Sequence, residues 1–336
     1  MRIIRSAWLH PGSWLWIFLF AIPFVFWWYG GGGTLPQEIV ILPGSELTAN
    51  ELHLVVVGLP PTRLWLSGAL KATGGMNLFQ SSGTVQEVID YVLHDGGVPI
   101  VAHPWVGRVF DQPEALFLLG GPFAMEILPG EDASLAIWDG LLAERIRTGG
   151  PPVWGVASDD AHDESSMGRR FVVAKCAGPD EQSVLEALRA GRFYASTGPL
   201  LRDLGLEGGR VVILLEQPGK LRFVGLGGKV LARGMGTRAE YLPQGDEGYV
   251  RVEVEFPGPA WVFTQPFFVD GPGCVSNPYT GEGVWLRGNL HSHSDRSDGE
   301  LSRREMVEWY AAHGFGFVSV TDHMGWVWTG AKRSSL

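Results

Sequence analysis

An α/β fold of the barrel type is what this sequence predicts, and three observations predict it. Six short apolar runs each end within a few residues of a His, Asp or Glu; helical stretches alternate with them; and six of the nine histidines fall at these run ends. Parallel strands alternating with helices close into barrels that gather their chemistry at the carboxyl ends of the strands. Independent helices or a β-sandwich would not place ligand-type residues repeatedly at one end.

Taken in order, the chain opens with an apolar segment. No Asp, Glu, Lys or Arg occurs from Ser6 to Gln37, and residues 14–29 are almost wholly apolar behind Arg2 and Arg5. That flank suits a signal anchor, and Trp8, Trp14, Trp16, Trp27 and Trp28 suit an interfacial belt. The run is short against the roughly 20 residues of a membrane span, and Pro23 interrupts it. Residues 1–33 are therefore read as a membrane anchor or signal segment, with membrane association through residues 8–29, in preference to a cytoplasmic protein with a buried helix ahead of its first strand. Gly30 to Gly33 form a flexible joint.

Residues 38–42 read as a strand with Glu46 just past its end, and 52–57 as a second strand carrying His53. By themselves these two residues read as a solvated carboxylate and a half-buried imidazole. Thr84 and Glu87 form a capping box for a helix through Val92 that stops near Gly96 and Gly97. The apolar run 98–102 delivers His103, and Pro104 prevents its continuing as helix. A strand at 123–127 carries Glu126, and a helix spans 134–147 with Trp138, Leu141 and Leu142 on one side. The strand 153–157 ends in Ser-Asp-Asp-Ala-His, with Asp160 and His162 two residues apart.

From 206 to 269 the pattern changes to short alternating runs separated by Gly and Pro, a small antiparallel β module. Residues 270–283, rich in Gly and Pro, read as a linker, and a strand begins at 284. It leads into GNLHSHSDRSDG, where His291 and His293 project from one face of an extended segment and Asp298 follows. Ser302 and Glu305 cap the next helix, Gly314 closes it, and the strand 317–321 ends on Asp322 and His323.

The net charge of −10, without a Lys/Arg cluster, argues against a nonspecific nucleic-acid surface. Cys176 and Cys274 are too few for a disulfide framework or a zinc knuckle.

HSHSDRSDG, with TDH at the end of the following strand, resembles the first two motifs of the PHP (polymerase and histidinol phosphatase) superfamily of metal-dependent hydrolases. Glu46 after Pro-Gly, with His53 opening an apolar strand, is similar to the third motif, and Asp160-x-His162 to the last. The resemblance implies a distorted (β/α)7 PHP-type barrel, a TIM-like barrel with seven strands in place of eight. It also implies nine metal ligands: His291, His293, Asp298, His323, Glu46, His53, His103, Asp160 and His162. In that family the HxH and TDH motifs come first, whereas here they come last. The order is that of a circular permutant, with its barrel in 34–205 and 284–336. The same order would arise if the C-terminal unit completed a neighbouring chain, or from a gene-model fault that made residues 1–33 and 324–336 foreign sequence.

Two or three divalent ions (Mn, Fe or Zn) are the cofactors expected on imidazole and carboxylate donors. The expected activity is phosphoester hydrolysis by a metal-bridging hydroxide, with Asp160, His103 and Asp322 as catalytic residues. Asp159 is expected to orient one of the histidines. Residues 183–199 look like a segment of the carbaryl-hydrolase-like branch, which makes a carbamate or carboxyl-ester hydrolase the alternative. A non-catalytic metal-binding domain or fragment is the third reading. The partner implied is a small phosphoester or ester substrate, with Arg192, Arg108 and Tyr194 lining its pocket and Arg169 and Thr197 as further candidates.

Overall fold

Strands outnumber helices in the computed structural model, which describes residues 38–49, 52–66, 82–104, 113–127, 132–258 and 260–324. Among these residues 17 strands join in one sheet, accompanied by six α-helices, so the fold is mixed α/β. The possible anchor, residues 1–33, lies outside the described residues. No described helix is long and apolar enough to cross a membrane.

The strand that positions the site is β1 (Val40–Ala49). It lies parallel to β16 (Phe317–Val320), with Val40 opposite Phe317, so the early chain docks directly beside the late chain. On its other side β1 pairs antiparallel with β2 (Leu52–Val57), which in turn runs antiparallel to β3 (Val98–Ala102). From β3 the ladders are parallel, through β4 (Phe123–Glu126) to β5 (Val153–Val156). Beyond β16 lies β15 (Val284–Asn289), again parallel.

Two features depart from a ring of seven parallel strands. β2 opposes both of its neighbours, because only two residues separate β1 from β2 in sequence and a parallel crossover needs a dozen or more. β15 also pairs antiparallel with β6 (Phe171–Cys176), so its second edge is not in a ladder with β5. Past the ends of β5 and β15 a single bridge joins Ala161 to Ser292. It is backed by hydrogen bonds from Asp160 N to His291 O (3.0 Å) and from His293 N to Ala161 O (2.8 Å).

The antiparallel strands of the module, β8 (Leu201–Glu207), β9 (Arg210–Gly225), β10 (Lys229–Tyr241), β11 (Tyr249–Phe256) and β12 (Ala260–Thr264), continue this same sheet. The join is β12 against β7 (Phe193–Ser196), itself paired with β6. The segment read as a linker is pinned rather than loose: Tyr279 is buried, its hydroxyl accepts from Gln265 N and donates to Phe193 O.

The helices are α1 (Pro61–Leu66), α2 (Ser82–His94), α3 (Glu114–Phe117), α4 (Asp132–Thr148), α5 (Glu181–Arg189) and α6 (Arg303–Ala312). α6 starts on the expected capping box, Ser302 Oγ accepting from Glu305 N while Glu305 Oε2 accepts from Ser302 N. It stops where Gly314 takes φ 77°, a left-handed conformation open to glycine without steric cost. Trp138, Leu141 and Leu142 of α4 are buried together, as their spacing predicts.

Candidate metal centre

The late chain supplies the first pair of imidazoles. Asn289, the last residue of β15, accepts from His291 N through Oδ1 (2.8 Å) and donates through Nδ2 to Asp159 and Tyr310. That anchoring holds 289–293 extended, so His291 and His293 are both fully buried with their Nε2 atoms 3.0 Å apart. Three residues past the end of β16 stands His323, whose Nδ1 is 3.3 Å from Glu46 Oε2. Glu46 lies on β1 in register with His323, and it too is fully buried.

Glu46 is the hub. Its Oε1 is 2.5 Å from His53 Nδ1 and 3.4 Å from His103 Nε2, and its Oε2 is 3.1 Å from the Nε2 of both His291 and His293. Asp160 Oδ1 reaches the same two nitrogens at 3.2 and 3.1 Å. Asp298 extends the group, its Oδ1 3.4 Å from His293 Nδ1 and its Oδ2 3.4 Å from His162 Nε2 and from His323 Nε2. All nine residues expected to be ligands therefore meet in one continuous cluster.

The donor set fits cations better than it fits a hydrogen-bond network. Glu46 Oε1 and His53 Nδ1 are buried and close, yet they are not aligned as a hydrogen bond, and neither has another hydrogen-bond partner among the described residues. Two atoms that approach without bonding share a target, and a cation would satisfy both. Among the described residues three subsets have ligand atoms close enough for an ion: His162, His293, Asp298 and His323; Glu46, His53 and His323; Glu46, His291 and His293. Nitrogen and carboxylate oxygen without thiolate suit Mn, Fe or Zn.

The geometry of His162 agrees with this. Its Nδ1 lies 2.9 Å from Asp160 O, a carbonyl that can only accept, so in the neutral ring Nε2 carries the lone pair. Burial opposes the charge on Glu46, but positive His291 and the neighbouring imidazoles of His103 and His293 outweigh it, and its pKa is held far below the carboxylate range. Asp160 is lowered in the same way, burial being overcome by His291 and His293. Burial would lower His293, yet hydrogen bonds to Asp160 and Glu46 raise it to about 8. For His323 burial prevails, and its pKa is lowered.

Backbone strain falls at the same place. Among the described residues only two non-glycines have positive φ, His103 (26°) and Asp160 (49°). Such conformations persist where the surroundings over-determine them, and they cluster at functional sites.

Other expected roles are not where the sequence put them. Asp322 does not join the cluster: it accepts from Ser294 N (2.7 Å) and Arg303 Nε (2.7 Å), and so ties the loop after His293 to α6. Asp159 contacts no histidine. It accepts from the backbone N–H of Gly168, Arg169 and Arg170 and from Tyr310 and Asn289, acting on His291 only through Asn289. Arg192 O accepts from Lys175 N (2.7 Å), next to Cys176, which stands opposite Val284 at the start of β15. Seven residues of extended chain separate Val284 from His291, about 23 Å, so Arg192 lies toward the opposite end of the strand.

Tyr194 is a core residue: its hydroxyl accepts from Leu201 N (3.0 Å) and its ring packs on Trp285 at 5.5 Å. Arg108 lies outside the described residues. Sequence reasoning placed Glu126 on a strand and gave it no role, yet it is buried beside His291, with Oε1 2.8 Å from His291 Nδ1. Its position at the end of an apolar run, like the ligands, was the available signal.

Compared with family models, with curated proteins and with solved structures, the chain matches none.

Proposed function

We propose that this chain is a metal-dependent hydrolase of the PHP type, a phosphoesterase holding two or three divalent ions on the nine clustered side chains. One observation carries the reading: His53, His103, His291, His293 and His323 converge on one buried carboxylate, Glu46, and Asp160 Oδ1 meets the same nitrogens of His291 and His293. The docking of β1 between β16 and β2 supports a permuted barrel, since it restores the strand neighbours that the family order requires. The bridge from Ala161 to Ser292 supports treating β15, β16 and β1 to β5 as its seven strands.

Divalent ions bound here would lower the pKa of a water and offset charge developing on phosphorus. The chain's own part is positioning. Glu46 and the two Nε2 atoms of His291 and His293 form the dry floor of the site. Asp160, His162 and Asp298 stand at its more open side, with side-chain exposures of 33, 39 and 34%. Asp160 Oδ1 is placed to orient the attacking water, and its lowered pKa keeps it an acceptor at neutral pH.

Purified protein supplied with Mn²⁺ should hydrolyse an aryl phosphate and lose that activity on chelation. His103→Ala and Asp160→Ala should each cut turnover by about 10²-fold or more. Turnover that survives chelation overturns the proposal. An aryl carbamate assayed alongside decides between attack at phosphorus and attack at carbon.

A further inference from the structure

We infer that Glu126 is the positioning residue of this centre, a single carboxylate that fixes the geometry of three ligand-bearing segments at once. The inference rests on the metal-centre reading above. Glu126 ends β4 and is 3% exposed. Its Oε1 lies 2.8 Å from His291 Nδ1 and accepts from Ser158 Oγ at 2.5 Å; its Oε2 accepts from His103 N at 2.7 Å.

Each contact constrains a different segment. In the neutral ring that ligation requires, the contact with Glu126 places the one ring proton on Nδ1, so that Nε2 presents its lone pair toward Glu46, His293 and Asp160. The bond to His103 N holds the residue whose φ is 26°. The bond to Ser158 secures the stretch that leads to Asp160, the other residue of positive φ. Glu126 therefore grips both strained turns and the buried late-chain histidine.

The contacts also select a carboxylate over an amide. Three hydrogens point at two oxygens, and both oxygens must accept. Glutamine has the same shape but a single acceptor oxygen. Its amide N–H groups would face either His103 N–H, or His291 Nδ1–H and Ser158 O–H.

The test is Glu126→Gln in the full chain, with Mn²⁺ affinity measured by competition against a fluorescent chelator and the His291 tautomer read by ¹⁵N NMR. The expected result is 10- to 100-fold weaker ion binding, with the His291 proton redistributed between Nδ1 and Nε2. Wild-type affinity and an unchanged tautomer in the variant overturn the inference. A wild-type protein that takes up no ion overturns instead the metal-centre reading beneath it. Should the glutamine variant fail to fold, Glu126→Asp keeps two acceptor oxygens but withdraws them by one methylene. It must still weaken ion binding and disturb the tautomer, and wild-type values for both overturn the inference.

Discussion

At the scale of single residues, the centre is built from groups whose protonation its own neighbours control. His293 shows the consequence. Hydrogen bonds to Asp160 and Glu46 overcome burial and raise its pKa to about 8, above the unperturbed value of roughly 6.5. Without metal, its proton stabilises the fold fully below about pH 6.5, and that contribution is lost as pH rises through about 8. Metal binding has the opposite sign, because the ligand must be neutral. Ion affinity should therefore fall on acidification below pH 8, by roughly tenfold per pH unit for each proton displaced. Titrating Mn²⁺ into chelated protein across pH 6 to 9 measures this, and a flat profile would contradict it. Asp322 shows how far residue type alone can mislead. It stands next to His323 in sequence, but the Arg303 guanidinium and the Ser294 N–H hold its carboxylate.

At the scale of elements, what matters is how α4 is locked to the β module. Arg251 on β11 is 1% exposed and grips Asp139 of α4 through Nε (3.0 Å) and a terminal nitrogen (2.8 Å), while Tyr249 donates to the same carboxylate. Glu253 takes the other terminal nitrogen at 2.5 Å. Removing one member of such a buried pair leaves an uncompensated charge, which costs 3–5 kcal/mol in comparable cases. Asp139→Ala should lose about 3 kcal/mol in denaturant unfolding, since Glu253 still partners Arg251. A loss below about 1 kcal/mol would mean that the apolar contacts of Trp138, Leu141 and Leu142 hold α4 unaided. The pair contacts Tyr249, Glu253 and Trp138 rather than the clustered side chains, so ion affinity should change little while stability falls.

At the scale of the whole molecule, the centre staples the two ends of the described chain together. A ligand bound only by the folded state stabilises it by RT ln(1 + [L]/Kd), about 2.7 kcal/mol at a hundredfold excess over Kd. Chelation should lower the melting temperature and added Mn²⁺ should restore it; a melting curve indifferent to excess ion would remove the staple. The sequence by itself determined which residues could serve and where the local elements lie. His291 and His293 share a face because extended chain alternates with period two, Ser302 and Glu305 cap α6 through bonds spanning three residues, and apolar runs mark the strands that end at the clustered side chains. Those are short-range properties, legible wherever they occur. Tertiary structure alone decided that Glu46 and His291, 245 residues apart, meet at 3.1 Å. It also decided that β2 runs against its neighbours, that Glu126 faces His291, and that Arg192 and Tyr194 belong elsewhere. The reason is physical: a side chain's identity says what its atoms can bind, but its partner is set by the strand that packs beside it, and no local spacing encodes that neighbour.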